Sequence, residues 1–257
     1  MDKENLEYLK NSLQRFGFGQ KLDADLEKAI ASQPEKFTLT HAGEFNNAKD
    51  PSRVDFALEF SKSSQNDRYY FNNYKASVVS DDASLQKQQT FYIDKNAGVT
   101  AKEAFNLLNG RAVFKDFVNK DKEMYSAWIQ LNFEETSNGN FKIKHFTSNY
   151  GYDLEKVLSA YPIKQLDNPQ DKENMIASLK KGNLTLVSER EGNKKMFIEA
   201  VPQYKSVNVY DQDMIKQFNG ILKVPEAKEE QREKKEKAIR NEDDGEQKKS
   251  SKKGMRL

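Results

Sequence analysis

The chain of 257 residues contains no cysteine, two histidines, one tryptophan and six prolines. Without cysteine there is no disulfide framework, no thiolate nucleophile and no thiolate-ligated zinc or iron–sulfur cluster. Twelve glycines and six prolines are far too few for a collagen-like repeat. No apolar run approaches the roughly 20 residues that a helix needs to cross a bilayer. The opening Met1-Asp2-Lys3-Glu4-Asn5 is charged and leads into no apolar segment, so it reads neither as a signal peptide nor as an anchor. These absences give the expectation of a cytoplasmic protein with no membrane partner.

The motifs of common chemistries are also missing. There is no Gly-x-Ser-x-Gly elbow, Walker loop, His-Glu-x-x-His helix or dinucleotide fingerprint. Gly17-Phe18-Gly19 lacks a third glycine and a preceding strand, so it reads as a helix cap. Asp211-Gln212-Asp213 begins like a calcium loop, but the position that needs glycine is Lys216, and capping of a following helix suits it better. His41 alternates with Phe37 and Leu39, and His145 with Phe141 and Ile143. Both imidazoles therefore read as packed or sheet-edge residues before they read as ligands or bases. Asp81-Asp82 and Glu134-Glu135 read as solvated acids. The inventory argues against an enzyme and implies no cofactor, metal or small-molecule ligand.

Charge of one sign is scarce until the end of the chain. There are 42 basic and 40 acidic residues, a formal net charge of +2. From Glu226 to Leu257 eleven residues are basic and nine acidic, so that segment holds the whole excess and the body balances at zero. Glu230 with Lys234, Glu233 with Lys237 and Glu236 with Arg240 have the spacing and order that support a solvated helix, about 0.2 to 0.5 kcal/mol per pair. Residues 241–257 carry too few apolar side chains to offset the entropy of ordering and read as disordered.

The body alternates between the helical and the strand period, which gives an α+β fold. Leu6, Leu9, Leu13 and Phe16 form one helical stripe and Leu22, Leu26, Ala29 and Ile30 another, so 1–36 is a helical hairpin. Antiparallel β-rich units with packed helices then fill 37–110, 111–182 and 183–224, followed by a charged tail at 225–257. The first unit holds strands around Phe37–His41, Phe56–Phe60, Arg68–Val79 and Thr90–Asp94, then a helix from the capping box at Thr100 to Asn109-Gly110. The second holds Arg111–Asn119, Met124–Glu134 and Phe141–Ser148, then helices from Asp153 to Pro162 and from Asp171 to Lys181. The third holds Leu184–Glu189, Lys195–Val201 and Ser206–Tyr210, then a short helical stretch toward Asn219-Gly220. A repeated strand-strand-strand-helix unit is an open reading, since the identity between units is thin.

Several segments together resemble a known family: Phe16-Gly17-Phe18-Gly19, Tyr70-Phe71-Asn72-Asn73-Tyr74, Thr100–Val113, Asn149–Asp153, Phe197–Tyr210 and the ending Lys252-Lys253-Gly254-Met255. The likeness is to a family of Bacteroidota proteins without an established activity, and it runs over nearly the whole chain. It implies a setting near conjugative or other mobile elements and a long charged C-terminal region. It carries over no catalytic residue.

Binding residues remain the best candidates. Arg68, Tyr70, Tyr74 and Lys75 lie in a run of four aromatics and two cations, the mixture that stacks bases and neutralises phosphates. The run does not match the ribonucleoprotein signature, and tyrosine also simply packs well in sheets. The terminal Lys248, Lys249, Lys252, Lys253 and Arg256 could meet phosphates with a steep salt dependence. Trp128 falls opposite Ala127, Ile129 and Leu131 on its strand, either buried beneath a helix or exposed as a partner-binding anchor. The expected function is a non-enzymatic accessory protein of a mobile element or bacterial genome that contacts DNA or RNA through its basic end. The alternative is a protein-interaction module or scaffold.

Overall fold

The computed structural model describes residues 2–45, 53–80, 82, 86–94, 97–192 and 194–217. The charged C-terminal region, with the helix and disordered end expected there, lies outside the described residues. So do Asp81 and Phe218–Gly220. Among the described residues no helix is long and apolar enough to cross a membrane.

Helix α1 (Lys3–Arg15) starts where the Asp2 carboxylate accepts the Asn5 N–H at 3.1 Å, and α2 (Asp23–Ala31) follows a turn through Gly17 and Gly19. Leu9, Leu13 and Leu26 of this hairpin are fully buried, each contributing about 1.5–3 kcal/mol. They pack on the first sheet, an antiparallel meander of β1 (Lys36–Glu44), β2 (Arg53–Lys62), β3 (Tyr69–Val78) and β4 (Gln88–Tyr92). The amide of Asn5 ties helix to sheet: its Nδ2 donates to Tyr69 O at 3.0 Å and its Oδ1 accepts from Tyr69 N at 2.8 Å. Helix α3 (Ala101–Leu108) covers the rest of that inner face, its start fixed by a capping box between Thr100 and Glu103.

The second sheet is β5 (Val113–Val118), β6 (Met124–Ser137) and β7 (Asn140–Thr147), in that order. Its central strand is buried on both sides. Ile129 and Leu131 join the interior beneath α1–α3, and Trp128 joins a second interior. That second interior is completed by α4 (Leu154–Leu158), α5 (Pro169–Lys180) and a third sheet ordered β10-β9-β8, made of β8 (Thr185–Ser188), β9 (Lys195–Val201) and β10 (Ser206–Tyr210). The first two sheets meet where Asn140 Oδ1 accepts from Thr90 N at 2.7 Å and Gln89 Oε1 accepts from Phe141 N at 2.8 Å.

One expectation changes. The Asp211 region is not a helix over 211–217. Its carboxylate accepts from Asp213 N, Ile215 N and Gln217 Nε2, and Gln217 N returns to Val209 O at 2.8 Å, so a short side chain caps a reversing turn rather than a helix.

The seam between the interiors is polar and tight. Asn106 is fully buried; its Nδ2 donates to Lys181 O at 2.6 Å and Asn183 Oδ1 at 2.9 Å, and its Oδ1 accepts from Arg111 Nη2 at 2.7 Å. The chain reverses there at Gly182, whose φ is +76° and whose added Cβ would lie 2.8 Å from Ala112 O. At Gly192, φ +84°, an added Cβ would meet nothing within 4 Å. Gly192→Ala is therefore expected to show only the backbone penalty of the left-handed region, about 1 kcal/mol. Gly182→Ala adds the clash. Urea midpoints of the two variants should differ, with Gly182→Ala clearly lower.

Candidate nucleic-acid interface

Alternation along the first sheet separates two faces. Leu39, Phe56, Leu58, Phe60, Phe71 and Phe91 point inward and are buried. The outward side chains fall into three cross-strand rows set by the register: Thr38–Glu59–Asn73–Tyr92, Thr40–Ala57–Lys75–Thr90, and Ala42–Asp55–Ser77–Gln88. This face is open to solvent, and Thr38, Thr40, Lys75 and Tyr92 are exposed on it.

A β-bulge decides which aromatics reach that face. Strict alternation would put Tyr70 and Tyr74 on the same side. The register of β3 against β2 shifts at Asn72, between the pairs Glu59↔Asn73 and Phe60↔Phe71, and one extra residue inverts the alternation beyond it. Tyr70 is consequently 46% exposed and Tyr74 0%. Tyr74 donates its hydroxyl to Val99 O at 2.6 Å, and burial pushes its phenol well above the ordinary value. It belongs to the interior and cannot stack a base. Lys75, one residue on, is exposed on the open face.

Arg68 is taken elsewhere. Its Nε donates to Asp2 Oδ2 at 3.0 Å and its Nη2 to Glu4 Oε2 at 3.4 Å, so it clamps the start of α1. The Asn5 backbone N–H and then Arg68 hold the Asp2 carboxyl below its ordinary value. The four candidates Arg68, Tyr70, Tyr74 and Lys75 thus separate into one clamp, one core tyrosine, and two residues of the open face, Tyr70 and Lys75.

The same face holds a further exposed ring, outside the run Arg68–Lys75. Tyr92 is 73% exposed, and the alternation of Thr90–Asp94 already implied it, since Phe91 is buried between Thr90 and Tyr92. The carboxylates among these residues are engaged by neighbours: Asn73 Nδ2 donates to Glu59 Oε2 at 3.0 Å and Arg53 Nε to Asp55 Oδ1 at 3.1 Å. The small side chains of Ala42 and Ala57 leave a shallow depression of about 460 Å³, also lined by Thr40, Ser77, Lys75 and Arg53.

Trp128 is a correction to the partner-anchor reading. It is 4% exposed, its ring 5.4 Å from Phe114 and 5.6 Å from Tyr152, because the elements after β7 cover the face that alternation had left open. Exposed apolar side chains of this sheet include Val118 (62%) and Met124 (75%) at the end of the β5–β6 hairpin and Ile143 (41%) on β7. The terminal Lys248, Lys249, Lys252, Lys253 and Arg256 lie outside the described residues.

The histidines sit among rings. His41 touches Phe18 and Phe56, and His145 touches Phe117. Burial, with Lys21 adding to it at His41, lowers both below the ordinary 6.5. Among the described residues no group of three or more histidine, aspartate and glutamate side chains is placed to hold a metal ion.

Trp128→Ala is expected to cost about 3–5 kcal/mol, read as a lower urea midpoint, so any partner it loses is lost through unfolding. For the histidines, the unfolded chain takes up protons near 6.5 that the folded chain resists. Their contribution is complete above that value and is lost as pH falls through the lowered folded values. The urea midpoint should drop from about pH 7.5 to about pH 5.5, and less steeply in His145→Gln.

No protein-family model, curated protein or solved structure matches this chain.

Proposed function

We propose that this protein is a non-enzymatic nucleic-acid-binding protein, held on the phosphate backbone by its cationic end and making a second contact through the open face of its first sheet. One observation carries this reading. A four-stranded sheet packs all its helices on one face and presents Tyr70, Tyr92 and Lys75 on the other. The end of the chain supplies the complementary charge, since the last eleven residues contain five cations and no acidic side chain. Phosphate contacts of this kind give affinity without sequence preference. The resemblance to a Bacteroidota family met near mobile elements supports such a setting.

A second reading, a protein-interaction module, rests on a different feature. Val118 and Met124 stand exposed at the end of the β5–β6 hairpin, beside the stacked pair Phe117 and Tyr125, whose centroids are 5.4 Å apart. A partner docking there would bury apolar surface that water now covers.

The nucleic-acid reading is tested in the full-length protein by replacing Lys248, Lys249, Lys252, Lys253 and Arg256 with glutamine. Fluorescence anisotropy on a labelled oligonucleotide over a salt series should show weaker binding. The log–log salt slope should become shallower by about 0.7–0.9 for each phosphate contact removed. Equal affinity and slope in the two proteins would refute it.

A further inference from the structure

We infer that the open face of the first sheet takes unpaired nucleotides, with a base against Tyr92 and its phosphate in the depression beside Lys75. This deepens the reading proposed above and rests on it.

Three features of the face select this ligand. The first is the ring of Tyr92, 73% exposed on a strand fixed by its pairing with Asn73. A tyrosine so placed is a flat apolar surface with few rotatable bonds to order, the economical way to hold a planar ligand. The second is the position of Lys75. It pairs with Thr90, so Tyr92 is its diagonal neighbour at about 7–8 Å, a separation that one nucleotide bridges from base to phosphate.

The third is the depression itself. It is open, with a volume of about 460 Å³. Lys75 supplies positive charge to it, and Thr40 and Ser77 supply hydroxyl donors. Asp55 also lines it, and its Oδ1 already accepts from Arg53 Nε. Glu59, in the Tyr92 row, likewise accepts from Asn73. The carboxylates nearest the proposed phosphate are thus paired, while Lys75 offers its charge to the ligand.

Tyr70 extends the track. Two strand positions and one strand spacing put it about 8–10 Å from Tyr92, the reach of a neighbouring splayed nucleotide. The amides of Asn72 and Asn73 lie between the two rings along β3 and are oriented by Ser61 and Glu59. Bases inside a duplex keep their faces stacked on one another, so rings on a flat sheet reward only a strand whose bases are free. A protein that used its cations alone would bind either form by charge.

The experiment measures anisotropy with the full-length protein on an oligonucleotide of mixed sequence, as single strand and as duplex, in DNA and in RNA. Wild type should prefer the single strand. Tyr92→Ala should weaken single-strand binding about five-fold or more and leave duplex binding nearly unchanged, while Tyr92→Phe, which keeps the ring, should retain it. Lys75→Ala should also weaken the single strand, and the melting temperature of each variant should match wild type because both side chains are exposed. Unchanged single-strand affinity in Tyr92→Ala and Lys75→Ala, with binding still lost in the five-glutamine protein, would overturn this inference and leave the broader reading standing. Absence of binding by wild type at low salt would overturn both.

Discussion

Strand β6 cannot shift by one residue without undoing both halves of the molecule. Ile129 and Leu131 face the interior beneath α1–α3, and Trp128, between them in sequence, faces the interior built by α4, α5 and the third sheet. A slip would exchange these sets and drive Gln130 and Asn132 into an apolar interior. Gln130 Nε2 instead donates to Gly110 O at 2.6 Å, next to the polar seam where Asn106 joins α3 to the turn after α5. Both sides of the middle of β6 are thereby committed to the interior.

Much of this plan was legible in the sequence. The stripes of Leu6–Phe16 and Leu22–Ile30, the capping box at Thr100 and the alternation from Phe37 to Tyr210 place nearly every helix and strand, because each signal is local. What escaped depends on contacts far apart or on a single irregular residue. Alternation put Trp128 correctly opposite Ile129, but whether anything covered it depended on Tyr152, Leu158 and Val207, all beyond the next strand. Arg68 read as a free cation because its partners, Asp2 and Glu4, lie 66 and 64 residues away. The bulge at Asn72 is subtler, since a two-against-one pairing leaves no mark on a period of two. It nevertheless inverted the faces of Tyr70 and Tyr74 relative to one another.

The bulge also gives the open face its composition. By turning Tyr74 inward it fills the core against Phe18, Phe56 and Phe91, and in the same step turns Lys75 to solvent. An unbulged strand would have put the charge in the core and the ring outside. The cost of a buried, unpaired ammonium far exceeds that of exposing a tyrosine, so the irregularity is enforced by the core whatever the outer face does. Any use of that face for binding would exploit a geometry that folding had already fixed.

Affinity and discrimination would then reside in different parts of the chain. The body is neutral in sum, and charges separated by more than about 8 Å are screened from each other at physiological salt. The sheet alone would attract a polyanion weakly, whereas five cations within the last eleven residues concentrate the attraction in a short segment. That attraction carries no information about bases. Rings carry little charge attraction but respond to whether a base face is available, and stacking is far less sensitive to salt than phosphate pairing. Rising salt should therefore weaken duplex and single-strand binding together while the preference between them widens or holds, a pattern that cations alone cannot produce.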